Sequence, residues 1–292
     1  KPEIARSNLD HVVLMMKKMG IDDVASFDFI DPPEKASFKH AIETLKILGA
    51  LDENEKLTLR GDKMSEFPLS PEKARMIIEA EKYGCVESVF TIAAMMGSKS
   101  VFNRPQEYTN EADLAHAQFK DNNSDFITLL NVWRKWEESG HDTRWARNNF
   151  LNSRQLFEAG EVRFQLMEKL KRLNIIATNT NNDEELVKKS IASGLVQNFM
   201  TGGFMGEYSK ITDIAELFPA TRSEKYFIHP SSVLFGYSSP EFIIASNIVK
   251  TKKTYARLCQ EVKPEWLVEF LPHYFIKNTE EQMQRVDYDK QE

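Results

Sequence analysis

FKHAIETLKILGALDENEKLTLRG, residues 38–61, decides the first part of the fold. Phe38, Ala41, Ile42, Leu45 and Leu48 recur at the spacing of one buried helix face, and Gly49 supplies a stop. Ala50-Leu51 and Leu57-Thr58-Leu59 then flank the polar turn Asp52-Glu53-Asn54-Glu55, which predicts a small hairpin before Gly61. Upstream, Ser7 reads as an N-cap for a helix carrying Leu9, Val12, Val13, Met16 and Met19, ended by Gly20, and Asp31-Pro32-Pro33 breaks the chain. Two helices and a hairpin outline a winged helix over residues 1–66, a fold that serves DNA, RNA and protein contact alike.

Downstream the signals turn purely helical. Ser70 and Pro71 open a helix with Met76, Ile77 and Ala80 inward, and Gly84 closes it. Val89, Ile92, Ala93 and Met96 mark a second helix that stops at Gly97. After the loop 98–108 come a helix from about Asn110 and one capped by Ser124, bearing Ile127, Leu130, Trp133 and Trp136 up to Gly140. Apolar positions from Trp145 to Leu173 read as one long helix or two joined near Gly160. The tryptophans sit at core-like spacing. Residues 67–180 are therefore an α-helical bundle, and the polar stretch 177–185 is the best domain boundary.

From there the period changes. A short helix ending at Gly194 leads to strand-like pieces at 195–200, 207–213, 225–229, 241–250 and 254–262, divided by glycine, proline and serine turns. Five short strands so spaced predict a small β-barrel of OB type over 184–276, with a final helix from Pro264 and a tail at 277–292. The fold class is thus multidomain α+β: winged helix, then helical bundle, then barrel.

Composition bounds the function. The 292 residues are 41% hydrophobic, enough for two or three domains with real cores, and no apolar run approaches the length of a membrane span. Cys85 and Cys259 lie far apart without a CxxC partner and read as core residues of an intracellular, reducing compartment, cytoplasmic or nuclear. A net charge of −6 argues against a protein that wraps duplex nucleic acid by bulk charge, yet it leaves room for a local basic groove.

No catalytic constellation is legible. Gly97-Ser98-Lys99-Ser100 lacks the earlier glycine of a phosphate loop, there is no GxSxG or HExxH, and the six histidines lack metal spacing. His229, before Pro230, reads as a hydrogen-bonded structural residue. Two features could hold single-stranded nucleic acid, which needs cations for phosphates and aromatic faces for bases. One joins the loop Ser98 to Arg104 to a helix bearing Arg144, Arg147 and Arg154 on roughly one face; its alternative is a solvated helix face. The other is Lys250, Thr251, Lys252, Lys253, Tyr255 and Arg257, with a solvated edge strand as the alternative.

Seven ordered blocks carry a resemblance: PEIARSNL (2–9), GIDDVASFDFIDPP (20–33), LGALDENEKLTLRGDKMSEFPLSPEKARMI (48–77), SVFNRP (100–105), ITLLNVWRKW (127–136), IHPSSVLF (228–235) and KPEWLVEFLPHYF (263–275). Over nearly all of residues 2–275 the chain resembles the C-terminal region of DEAH-box RNA helicases of the pre-mRNA-splicing and ribosome-biogenesis type. Ser124-Asp125-Phe126, Trp145-Ala146 and Ala245 to Asn247 depart from the usual pattern, which fits a divergent or bacterial homologue. The resemblance implies that the chain follows two RecA-like motor domains, which bind ATP and Mg and move RNA 3′ to 5′. It implies no cofactor in this chain and no activity from it alone. It also implies that Ser100, Phe102, Asn103, Arg104, Arg147, Arg154, Thr251, Lys252, Lys253 and Tyr255 line a single-stranded RNA channel. Implied partners are RNA, the motor domains of the same protein and, in some members, a G-patch-type activator on the winged helix. The alternative is an adaptor-binding module with little RNA affinity.

Overall fold

A computed structural model describes residues 9–29, 33–97, 99–211, 224–236 and 240–272. The predicted cap at Ser7, the far end of the strand 207–213 and the tail 277–292 lie outside them. The chain forms two compact units, residues 1–194 and 195–292; the polar stretch 177–185 lies inside the first.

In the first unit, α1 (Leu9–Lys18) and α2 (Lys35–Ile47) pack through Val13, Leu14, Phe38 and Leu45, all buried. Gly20 and Gly49 take the left-handed conformation that ends each helix, as their sequence positions predict. The expected hairpin is reduced to one bridge, Leu51 to Leu57. Its second arm starts a helix instead, α3 (Leu59–Ser65), because the Thr58 hydroxyl accepts the Gly61 N–H at 2.9 Å. Gly61 has no Cβ to collide with the Ala50 carbonyl, which would lie 2.1 Å from one. Local capping thus overrides the β-propensity of the arm.

The bundle follows: α4 (Pro71–Tyr83), α5 (Val86–Met95), α6 (Thr109–Ala117), α7 (Asp125–Glu138), α8 (Thr143–Asn148), α9 (Ser153–Arg172) and α10 (Glu184–Gly194). Helix α5 is buried at every position except Glu87 and packs on α4, α7 and α9. Trp133 and Trp136 of α7 are core residues, and a Cβ at Gly160 would lie 3.3 Å from the Trp133 ring, so α9 approaches α7 closely there. The stretch 145–173 is two helices, but they part at Asn149 to Asn152 rather than near Gly160. Phe150 takes a positive φ of 52° and the Asn152 side chain caps α9 through the Gln155 N–H. Arg154 therefore sits on a different helix from Arg144 and Arg147, and the common-face argument for the three fails. The polar stretch is tied down by Thr180 and Asn181 N–H bonds to the Gly84 carbonyl, and α10 packs tightly on α4.

The second unit is a closed five-stranded barrel: β1 (Phe199–Gly202), β2 (Tyr208–Lys210), β3 (Tyr226–Ile228), β4 (Phe242–Lys250) and β5 (Thr254–Glu261), in the order β1-β2-β3-β5-β4. Every pairing is antiparallel except β3 with β5. Met200, Tyr208, Tyr226, Ile243, Ala245, Ala256 and Cys259 fill the interior, the alternation the sequence shows. A helix α11 (Pro264–Phe270) follows.

Candidate nucleic-acid interface

In the first unit the loop 100–104 is built like a short strand. Val101 is buried and its carbonyl accepts the Asn152 N–H at 2.8 Å, while the Asn103 N–H donates to the Phe150 carbonyl at 2.9 Å. Phe102 bridges to Leu151 and stands edge-on to His116, with ring centroids 4.8 Å apart. His116 is itself buried, its Nε2 3.0 Å from the Phe150 carbonyl, and burial lowers its pKa. The neutral ring donates that bond. Ser100 caps the loop by accepting the Phe102 N–H at 3.1 Å. This pairing lays the loop against the junction between α8, which carries Arg147, and α9, whose first turn carries Arg154.

The cations there differ in availability. Arg104 grips Asp113 through two bonds of 2.7 and 2.8 Å, and the pair holds the Asp113 carboxyl below the usual carboxylate range. Arg154 pairs with Glu158 at 3.0 Å on an exposed helix face. Arg144 and Arg147 are exposed and carry no ion pair among the described residues.

In the second unit the turn between β4 and β5 presents Thr251, Lys252 and Lys253. The Thr251 N–H and hydroxyl both donate to the Lys253 carbonyl, at 2.9 and 3.2 Å. Glu224 accepts from Lys250 and from the Thr254 hydroxyl, each at 2.9 Å, so Lys250 is engaged; Lys252 is exposed with no ion pair among the described residues. The register does the rest. Thr254 and Ala256 point into the barrel while Tyr255 points out, beside Phe227 of the parallel neighbour β3.

A row of rings and cations results. The Lys253 ammonium lies 4.1 Å from the Phe227 ring centroid, and Tyr255 lies 6.5 Å from Phe227 and 5.5 Å from His229, edge-on to the latter. Burial and then Arg257 lower the His229 pKa, so its neutral imidazole adds a third aromatic face. The sequence-selected Lys253 and Tyr255 come together as expected from their spacing, whereas Phe227 and His229 had no signal beyond a period-2 strand pattern. His229 is also the hydrogen-bonded residue the sequence suggests, its Nδ1 accepting the Ser231 N–H at 3.1 Å.

Among the described residues no group of three His, Cys, Asp or Glu side chains could hold a metal ion, and no helix is long and apolar enough to cross a membrane.

Comparison with known proteins returns three families in chain order. Residues 41–69 match the helicase associated domain (HA2), winged-helix; residues 70–129 match the helicase associated domain (HA2), ratchet-like; residues 187–274 match the oligonucleotide/oligosaccharide-binding (OB)-fold. The chain is 34% identical over 275 residues to the pre-mRNA-splicing factor ATP-dependent RNA helicase prp22 of Schizosaccharomyces pombe. That match covers 94% of this chain and 23% of the relative, so the chain spans about a quarter of the relative's length.

Proposed function

The chain carries the winged-helix, ratchet-like and OB-fold domains of the DEAH-box RNA helicase family, and on that premise we propose that it is the RNA-binding and regulatory region of an ATP-dependent RNA helicase. Motor domains of the same protein bind ATP and Mg and drive the strand 3′ to 5′; this region lines the single-stranded path. The observation that carries the proposal is the outward row of Lys253, Phe227, Tyr255 and His229 on the barrel. Aromatic faces accept any base, and adjacent cations accept phosphates, so the surface suits a strand held without sequence preference. Thr251 and Lys252 extend the row at the turn. In the first unit Ser100, Phe102, Asn103, Arg104, Arg147 and Arg154 form the second contact, with Phe102 fixed by His116 and Arg147 free to meet a phosphate.

The net charge of −6 fits this role, since few cations are aimed at the strand and the isolated chain binds weakly. Titration with a short single-stranded oligonucleotide at two salt concentrations tests it: the expected result is measurable affinity that falls with salt. Absence of binding at low salt would favour the other reading, a module that docks an adaptor of the G-patch type. That reading draws on Leu59 and Met19 of the winged-helix segment, which stand 93% and 67% exposed. In the full-length protein, reversing the charge of Arg147 together with Lys253 is expected to cut RNA-stimulated ATPase activity.

A further inference from the structure

Strands β3 and β5 run parallel, with Phe227 opposite Tyr255 and Ile228 opposite Ala256. The His229 N–H then donates to the Ala256 carbonyl at 2.9 Å, which carries the pairing one step on and sets His229 beside Arg257. Strand alternation puts both on the outer face with Phe227 and Tyr255, on neighbouring chains about 4.8 Å apart. Leu258, next in the chain, takes a positive φ of 52°, a strain that a residue with a side chain keeps only where its surroundings impose it. The in-out alternation slips there, since Ala256 and Cys259, three apart, both fill the interior. Arg257 stands outward at the slip.

Two groups at this end of the surface are uncommitted. Arg257 has no ion pair or hydrogen bond among the described residues. His229 is fixed at one nitrogen and open at the other. The Ser231 backbone N–H can only donate, so the Nδ1 that accepts it at 3.1 Å presents a lone pair, and the Ser231 hydroxyl stands 2.8 Å from the same atom. The proton of the neutral ring is therefore on Nε2. That atom lies at the tip of the side chain and has no partner among the described residues. It is not one of the buried polar atoms left unpaired, so it reaches solvent.

We propose that His229 and Arg257 form a phosphate clamp on the barrel. Arg257 supplies the charge, His229 bonds a second oxygen of the same phosphodiester as a neutral donor, and the adjoining base lies on Tyr255. The clamp rests on the single-strand reading of this surface and adds to it a contact that carries no charge. One cation and one neutral donor match a phosphodiester, which has one negative charge shared by two free oxygens. A peptide carboxylate could meet the same two groups but would leave the rings of Phe227 and Tyr255 uncovered, whereas a nucleotide uses both.

The test uses the whole chain and a labelled oligouridylate, with anisotropy read at three salt concentrations. Arg257→Gln removes a contact that releases counterions and is expected to lower the slope of log affinity against log salt by about 0.7. His229→Phe keeps a ring and removes the donor. It is expected to weaken binding about fivefold at every salt concentration with the slope unchanged, fivefold being a hydrogen bond of about 1 kcal/mol. His229→Gln, whose amide nitrogen can take the place of Nε2, is expected to bind within about twofold of the wild-type chain. In the Arg257→Gln background, His229→Phe should cost less than about twofold, because one phosphate serves both residues. A slope lowered by His229→Phe, equal losses in His229→Phe and His229→Gln, or effects at the two positions that simply multiply would overturn the clamp and leave the surface a strand path. Displacement of the label by oligoglutamate as readily as by unlabelled oligouridylate would overturn the choice of a phosphodiester. A wild-type chain that binds no oligouridylate at low salt would remove the single-strand reading and the clamp with it.

Discussion

Replacing Lys252 by alanine isolates the electrostatic part of the barrel surface, because this lysine is exposed at the β4–β5 turn and no described residue pairs with it. Each phosphate neutralised on a single strand contributes about 0.7 to the slope of log affinity against log salt. With Lys252, Lys253 and Arg257 all meeting phosphates, the barrel's share of the slope is about −2.1, and raising salt from about 50 to about 200 mM weakens that share of the binding roughly 18-fold. Lys252→Ala should lower the measured slope by about 0.7, the barrel's share falling to about −1.4 and its loss to roughly sevenfold. Lys250 is the internal control: it is one residue from the turn but already paired with Glu224 at 2.9 Å, so Lys250→Ala should change the slope by much less. Fluorescence anisotropy of a labelled oligouridylate, titrated at three salt concentrations against the wild-type chain and both variants, reads these slopes directly. An unchanged slope in Lys252→Ala, or an equal drop in Lys250→Ala, would refute the assignment of the turn as the phosphate contact.

Asp113→Asn should free Arg104 from its two-bonded partner and raise affinity for a single strand about two- to threefold at low salt, measured in the same titration. Gly61→Ala should destabilise the first unit by about 2 kcal/mol or more in a urea melt, since the new Cβ meets the Ala50 carbonyl at 2.1 Å and overpacking outweighs the gain in helix propensity; Gly97→Ala, where nothing lies within 4 Å, should be near neutral. Burial, with Glu72 nearby, pushes the Asp10 carboxyl from 3.8 up to about 7. The folded state thus holds the proton more tightly, and this group's stability contribution is full below pH 3.8 and is lost as pH rises to about 7. Asp10→Asn should therefore flatten the dependence across that window and stabilise the protein at pH 8 by about 1–2 kcal/mol after allowance for solvent screening, read from melts at pH 4, 6 and 8.

The helices and the barrel were legible because their signals are local. Gly20, Gly49, Gly84 and Gly140 fall where left-handed stops are needed, and the strands around Met200, Tyr226, Ile243 and Ala256 alternate with the pleat. The hairpin after Gly49 is shorter than its sequence predicts, one antiparallel bridge, because Leu57-Thr58-Leu59 carries β-forming residues while its outcome rests on one hydroxyl and one missing Cβ. The break at Asn149 to Asn152 was equally hidden, since Phe150 in a left-handed conformation is held by the loop 101–103, far away in sequence. Of the candidate contacts, cations in basic runs could be read directly. Phe227 and His229 could not, because only the parallel register of β3 on β5 brings them beside Tyr255.

That stitching of residues 101–103 to 150–152 has a mechanical meaning. Helix α9 has 20 residues, a rod about 30 Å long, and the loop is clamped at its base by backbone amides rather than by side chains that could swivel. A force on Asn103 is therefore passed through the backbone to the foot of α9, and Arg163 ties that rod in turn to α5 through Thr91 and Glu87, each at 2.9 Å.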